Sequence, residues 1–260
     1  LLDDGKAYHC YCSLDELDEK RREAQRRGDN PKYDGTCREG AKVLSGRSPV
    51  IRFKSLQEGR TGFEDLIRGP IEVDTAQLDD LILVRSDGSP TYNFTLVVDD
   101  VTMAITQVIR GDDHIGNTFR QIQLYRAFEY SMPAFAHLPS ILGTDRARLS
   151  KRHGAESILV YRQWGYLPEA MINYLARLGW SHGDQEIFSV EELINLFDLD
   201  QVNKAAAVFD PQKLLWVNSQ HIKSCDRTRL ARLLGGAIEK SPILPSGQEV
   251  SVETLRRIAD

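Results

Sequence analysis

No apolar run in this chain approaches the ~18 residues needed to cross a bilayer. Its first residues, LLDDGKAYHC, have neither the basic start nor the apolar stretch of a secretory signal. Cysteine is scarce: 4 in 260 residues exclude a disulfide framework and leave reduced thiols or a metal site. Together these absences predict a protein of the cytoplasm with no membrane partner. Positive charge is in the minority, with 33 Lys and Arg against 38 Asp and Glu and a formal net charge of −5. That balance excludes a protein that coats nucleic acid over its whole surface, yet a local basic groove can still hold phosphates. Internal repeats, low-complexity segments and an initiator methionine are also lacking. The missing methionine leads to the expectation of an excerpt from a longer protein.

What is present reads as a globular α/β sequence, with 41% hydrophobic and 27% charged residues. Ser13 with Glu16 three positions later predicts a helix start, and Gly28 its end, with the basic residues late in the segment. From Pro49 to Pro90, short apolar runs broken by Gly, Pro and Asp predict hairpins, with a tight turn at SDGS. A strand reading extends through PTYNF, which makes Tyr92 a core aromatic. VTMAITQVIR predicts another strand, followed by a loop and a helix opened by a Thr118/Gln121 capping pair. Residues 157–180 predict a long helical stretch. Ser189 with Glu192, and Asp210 with Pro211, mark two further helix starts.

Three constellations carry chemistry. In RARLSKRHG, the cations Arg146, Arg148, Lys151 and Arg152 suit either a phosphate or a solvated loop. Arg110 ends an apolar strand, a position that serves either a ligand or an ion pair with Asp112 or Asp113. Cys10-x-Cys12 followed by Cys37 supplies three thiolates, and tetrahedral zinc requires a fourth donor.

RLSKR resembles the KLSKR-type loop of class I aminoacyl-tRNA synthetases. The resemblance runs almost end to end. DGSPTYNFTLVVDD, VIRGDDHIGNTFRQ, HLPSIL, RLSKRHG, LPEAMINYLARLGWSHGDQEIFS and FDPQKLLWVN occur in the order, and at about the spacing, of bacterial glutamyl-tRNA synthetases. The His114-Ile115-Gly116 run resembles the start of the family's HIGH signature but lies in a different block, so His114 is expected to be a supporting residue.

The resemblance implies a split Rossmann-type catalytic domain whose second half is present, with an α+β acceptor-stem insertion and an α-helical stem-contact region after it. The expected divisions are residues 1–86 for the insertion, 87–146 for the catalytic half, 147–227 for the stem-contact region and 228–260 for the start of an anticodon-binding domain. It implies activation of L-glutamate with ATP and Mg2+, transfer to the 3′ end of tRNA(Glu), and a monomer. Lys151, Arg148 and Ser150 would form the catalytic loop, with Arg148 standing where the family has its first lysine. Ile141, Leu142, Arg148, Lys151 and Arg152 would hold ATP, and Tyr92 and Arg110 would hold glutamate. For zinc the implied ligands are Cys10, Cys12 and Cys37 with Tyr33, ahead of Glu39. Two rival readings are a glutamyl-queuosine tRNA(Asp) synthetase, which shares the Tyr33-x3-Cys37 spacing, and a non-catalytic tRNA-binding module.

Overall fold

The computed structural model describes residues 1–40, 46–150 and 157–238. They divide into two compact units, Leu1–Leu138 and Pro139–Asp260.

In the first unit, β1 (Ala7–Cys10) leads into α1 (Leu14–Arg27). The predicted caps are both present. Ser13 Oγ accepts from the Glu16 N–H at 3.1 Å, and the Glu16 carboxylate accepts from the Ser13 N–H at 2.5 Å. Gly28 ends the helix at φ +78°, a left-handed conformation that carries no Cβ penalty in glycine. Next come β2 (Val50–Phe53), β3 (Arg60–Asp65), β4 (Gly69–Asp74) and β5 (Ile82–Val84). β1, β2 and β5 form an antiparallel sheet in the order β1-β2-β5. β3 and β4 pair as the predicted hairpin, with Asp65 opposite Gly69.

α2 (Tyr92–Thr102) stands where the strand reading placed Tyr92, which is 51% exposed rather than in the core. The reason is visible in the spacing. Phe94, Val97, Val98 and Val101 recur at helical intervals, and Val97 is fully buried. The strand β6 (Gln107–Gly111) is accordingly shorter than predicted.

β6, α3 (Ile115–Ala127) and β7 (Ala134–Leu138) make a β-α-β unit, since parallel strands need a crossover. The second sheet has the order β4-β3-β7-β6, with β3, β7 and β6 parallel. Phe135 of β7 shares one buried core cluster with Ile122, Leu124 and Tyr125 of α3. The carboxyl ends of β3, β7 and β6 thereby bring Asp65, His137 and Arg110 to one end of the sheet; Arg110 and His137 are register partners. Strands from both sides of residue 86 share that sheet.

α3 also begins before the predicted Thr118/Gln121 cap. Both side chains lie within the helix and are fully buried, where their oxygens serve Arg110 instead of the helix terminus.

The second unit starts at Pro139. It contains β8 (Ile141–Leu142), α4 (Ile158–Gln163), α5 (Pro168–Gly179), α6 (Val190–Leu196), β9 (Ala207–Val208), α7 (Pro211–Lys223) and α8 (Arg227–Ile238). The long helical stretch predicted over 157–180 is two helices, separated at Gly165 (φ +84°) and restarted by Pro168 in the first turn of α5. Ser189 with Glu192 and Asp210 with Pro211 cap α6 and α7 as predicted. Tyr161, Met171, Tyr174, Leu214 and Val217 fill the core between these helices. Arg229 of α8 grips Glu169 of α5 with both arms, at 2.5 and 3.0 Å.

Candidate active site and cysteine cluster

Arg110 lies at the carboxyl end of β6, and its guanidinium is held on three sides. One terminal nitrogen, Nη2, donates to Thr118 Oγ1 and to Gln121 Oε1, both at 2.7 Å. Nε donates to His137 Nε2 at 3.3 Å. The other terminal nitrogen, Nη1, is buried with no hydrogen-bond partner. Among the described residues Arg110 makes no ion pair, so the salt-bridge reading fails: Asp112 instead accepts from Arg68 at 2.8 Å. Burial pushes the Arg110 pKa down, with Tyr92 acting in the opposite direction; a guanidinium stays charged at any working pH. Tyr92 opens α2, with its ring centroid 6.2 Å from that of His114. Asn93, next in sequence, accepts from Gln121 Nε2 at 2.8 Å. A charged, anchored group with unused donors, set beside a half-exposed tyrosine, has the chemistry to accept a carboxylate.

Within the second unit, β8 pairs in parallel with β9, and the Leu142 carbonyl accepts from the Phe209 N–H at 2.8 Å. The chain then doubles back. Gly143 N–H donates to the Ala147 carbonyl at 2.8 Å, Arg146 adopts φ +62°, and Arg148 comes to lie opposite Leu142 as a bridge partner. The Leu149 N–H closes the turn on the Ile141 carbonyl at 2.8 Å. The residues expected at ATP, Ile141, Leu142 and Arg148, are therefore neighbours on one short hairpin, with Ser150 at its outgoing end. Lys151 and Arg152 lie outside the described residues.

The sulfurs of Cys10, Cys12 and Cys37 lie within 4.8 Å of one another. The Cys12 and Cys37 sulfurs are 3.6 Å apart, close to the roughly 3.8 Å edge of a tetrahedron with ~2.3 Å zinc–sulfur bonds. The Tyr33 hydroxyl lies 3.4 Å from Cys10 Sγ and accepts from the Cys37 N–H at 2.9 Å. Glu39 is 84% exposed and pairs with Arg38 and Lys54 instead. This donor set fits zinc, with Tyr33 rather than Glu39 in reach as the fourth ligand. Beneath it, the buried Arg52 guanidinium carbon lies 3.8 Å from the Tyr33 ring centroid. Burial raises the Cys10 thiol pKa, but the Tyr33 hydrogen bond, the Cys12 backbone and Arg52 together bring it down; burial and Cys37 push Cys12 up to about 12.

The sequence pattern described as "tRNA synthetases class I (E and Q), catalytic domain" matches residues 1–216. The chain belongs to that family. Among curated proteins, the glutamate–tRNA ligase of Geotalea uraniireducens (strain Rf4) is 57% identical over 247 residues, covering 95% of this chain and 53% of that protein. The glutamate–tRNA ligase of Pelobacter propionicus is 52% identical over 264 residues, covering 100% and 56% respectively. A crystal structure of a glutamate tRNA ligase from Elizabethkingia meningosepticum in complex with its amino acid superposes with a TM-score of 0.85 at 34% identity, over 99% of this chain and 57% of that one. The chain thus spans about half the length of the curated relatives it matches.

The class I synthetase resemblance implies a substrate near Arg110 and Tyr92; Arg110 lies near the carboxyl end of β6 and Tyr92 is the first residue of α2. Sequence reasoning missed what surrounds Arg110. His137 and Asp65 were unassigned, and Thr118 and Gln121 were assigned to a helix cap. A signal was available for the last two: a threonine and a glutamine beside Ile122 and Tyr125 fall on the apolar side of a helix, where a polar residue needs a buried partner. No described helix is long and apolar enough to cross a membrane.

Proposed function

We propose that the protein carrying this chain is a glutamate–tRNA ligase of the cytoplasm. It activates L-glutamate with MgATP to glutamyl-adenylate and transfers the glutamyl group to the 3′ end of tRNA(Glu), acting as a monomer. The observation that carries this reading is the buried Arg110 Nη1, whose N–H groups have no acceptor, at the carboxyl end of a parallel β-α-β unit. That end of an open α/β sheet is where ligands bind. The names of the relatives support the choice of glutamate, and so does the amino acid bound by the Elizabethkingia protein.

Arg110 and Tyr92 hold the amino acid. The Ile141–Leu142 backbone holds adenine, while Arg148, Ser150, Lys151 and Arg152 serve the phosphates. As the glutamate α-carboxylate attacks the α-phosphorus, the bond to pyrophosphate breaks and charge moves onto the departing oxygens. Cations placed there beforehand gain more from the transition state than from bound ATP. Residues 1–86 serve as the acceptor-stem insertion, 87–146 as the second half of the catalytic domain, 147–227 as the stem-contact region and 228–260 as the start of an anticodon-binding domain.

A charging assay on the full-length protein with tRNA(Glu) lacking queuosine tests the reading. Glutamate on the 3′ terminal ribose is expected. Glutamate found only on a modified base would establish the tRNA-modifying activity instead, and salt-dependent tRNA binding without any charging would establish a non-catalytic module.

Zinc is part of the proposal. Cys10, Cys12, Tyr33 and Cys37 would hold it, and it would supply a structural cross-link between β1 and the Tyr33–Cys37 turn. Elemental analysis of the purified protein is expected to give about one zinc per chain. Cys37→Ser should lose most of it and Tyr33→Phe a part, while Glu39→Ala retains it. Metal-free protein, or equal loss from Glu39→Ala and Tyr33→Phe, contradicts the ligand set.

A further inference from the structure

Behind Arg110 lies a buried acid–imidazole pair that the proposed chemistry does not use. His137 and Asp65 are both completely buried, and His137 Nδ1 is 2.6 Å from Asp65 Oδ2. The other Asp65 oxygen accepts from the N–H groups of Ile67 at 3.0 Å and Arg68 at 2.9 Å, and from that of His137 at 3.3 Å. The carboxylate is therefore fixed in orientation. Those hydrogen bonds hold its pKa down against burial, so it is ionised.

The consequences follow from the donor and acceptor inventory. A carboxylate can only accept, so the imidazole proton resides on Nδ1 and Nε2 presents a lone pair. That lone pair faces Arg110 Nε at 3.3 Å and Thr118 Oγ1 at 3.0 Å. With Nε held by His137, and Nη2 spent on Thr118 and Gln121, the guanidinium plane cannot rotate. Only Nη1 remains for a ligand. Were the tautomer reversed, an Nε2–H would point at the Arg110 Nε–H, donor against donor in a buried site. Protonation of both nitrogens would in addition set two cations side by side.

We propose that Asp65 and His137 are positioning residues for amino-acid binding: Asp65 fixes the imidazole tautomer, and His137 fixes the plane and direction of the Arg110 guanidinium. The inference rests on the reading that Arg110 meets the substrate carboxylate. It adds a hydrogen-bonded chain, Asp65 to His137 to Arg110, that reaches no ligand itself and sets the geometry of the group that does.

Asp65→Asn in the full-length protein isolates the effect. The asparagine carbonyl can keep the backbone N–H bonds, while its amide N–H groups, turned toward Nδ1, force the imidazole proton to Nε2. The KM for glutamate is expected to rise by roughly tenfold or more, with the KM for ATP little changed. The 15N resonance of His137 Nε2 should move from the unprotonated to the protonated range. A role in stability alone would shift the melting temperature and, even with the tautomer moved, leave the KM for glutamate where it was.

Arg110→Lys, run in parallel, separates the two readings. If it raises the glutamate KM and Asp65→Asn does not, the positioning role is overturned while the Arg110 reading stands. If Arg110→Lys leaves the glutamate KM unchanged, both fall. Should Asp65→Asn not fold, His137→Gln and His137→Leu decide. Glutamine keeps an acceptor facing Arg110 and is expected to bind glutamate better than leucine does; equal glutamate KM values for the two overturn the proposal.

Discussion

Lys151→Ala in the full-length protein is expected to slow glutamate-dependent ATP–pyrophosphate exchange by roughly 10²–10³-fold, with KM for ATP changed far less. The charge on the departing phosphates grows along the reaction, so a cation aimed at them acts mainly on kcat. Arg146 and Arg148 are presented by a hairpin with backbone bonds of 2.8–2.9 Å, anchored on the Ile141 and Leu142 segment. Lys151 follows one residue after the end of that anchored run. Single-turnover measurement of adenylate formation checks the result. An unchanged rate would remove the catalytic role given to this cationic run.

Arg110→Ala is expected to lower kcat/KM for glutamate by roughly 100-fold or more. The removed group supplies charge-assisted hydrogen bonds, which exceed neutral ones, from a nitrogen that is itself buried. Arg110→Lys should recover little of the loss. A lysine ammonium has three donors on a flexible stem and cannot satisfy Thr118, Gln121 and His137 while also reaching a carboxylate. Steady-state kinetics with glutamate and ATP varied separately, beside thermal melts of each variant, distinguish a binding defect from unfolding. A variant that melts normally and retains the parent glutamate KM would contradict the assigned contact.

The helix boundaries that depend on local chemistry are readable from the chain alone. Ser13 with Glu16, Ser189 with Glu192, and Asp210 before Pro211 cap the helices they were expected to cap, because each bond spans at most three residues. α2 was missed although its period was present, since Gly and Pro just upstream favoured a turn and strand reading. Thr118 and Gln121 have the spacing of a capping pair, and only burial shows that their oxygens are spent on Arg110.

The sequence by itself determined the family, through the order of its blocks, together with the identities of Arg110, Tyr92, the cationic loop and the three cysteines. Tertiary structure decided what those residues meet. Asp65 is 72 positions from His137, and His137 is 27 from Arg110. No local rule relates them. They come together because β3, β7 and β6 run parallel, which stacks the carboxyl ends of distant segments side by side. At the sulfur cluster, Tyr33 and Glu39 both lie near Cys37 in the chain, but only the phenol is folded inward beside the thiols, while the carboxylate is left in water.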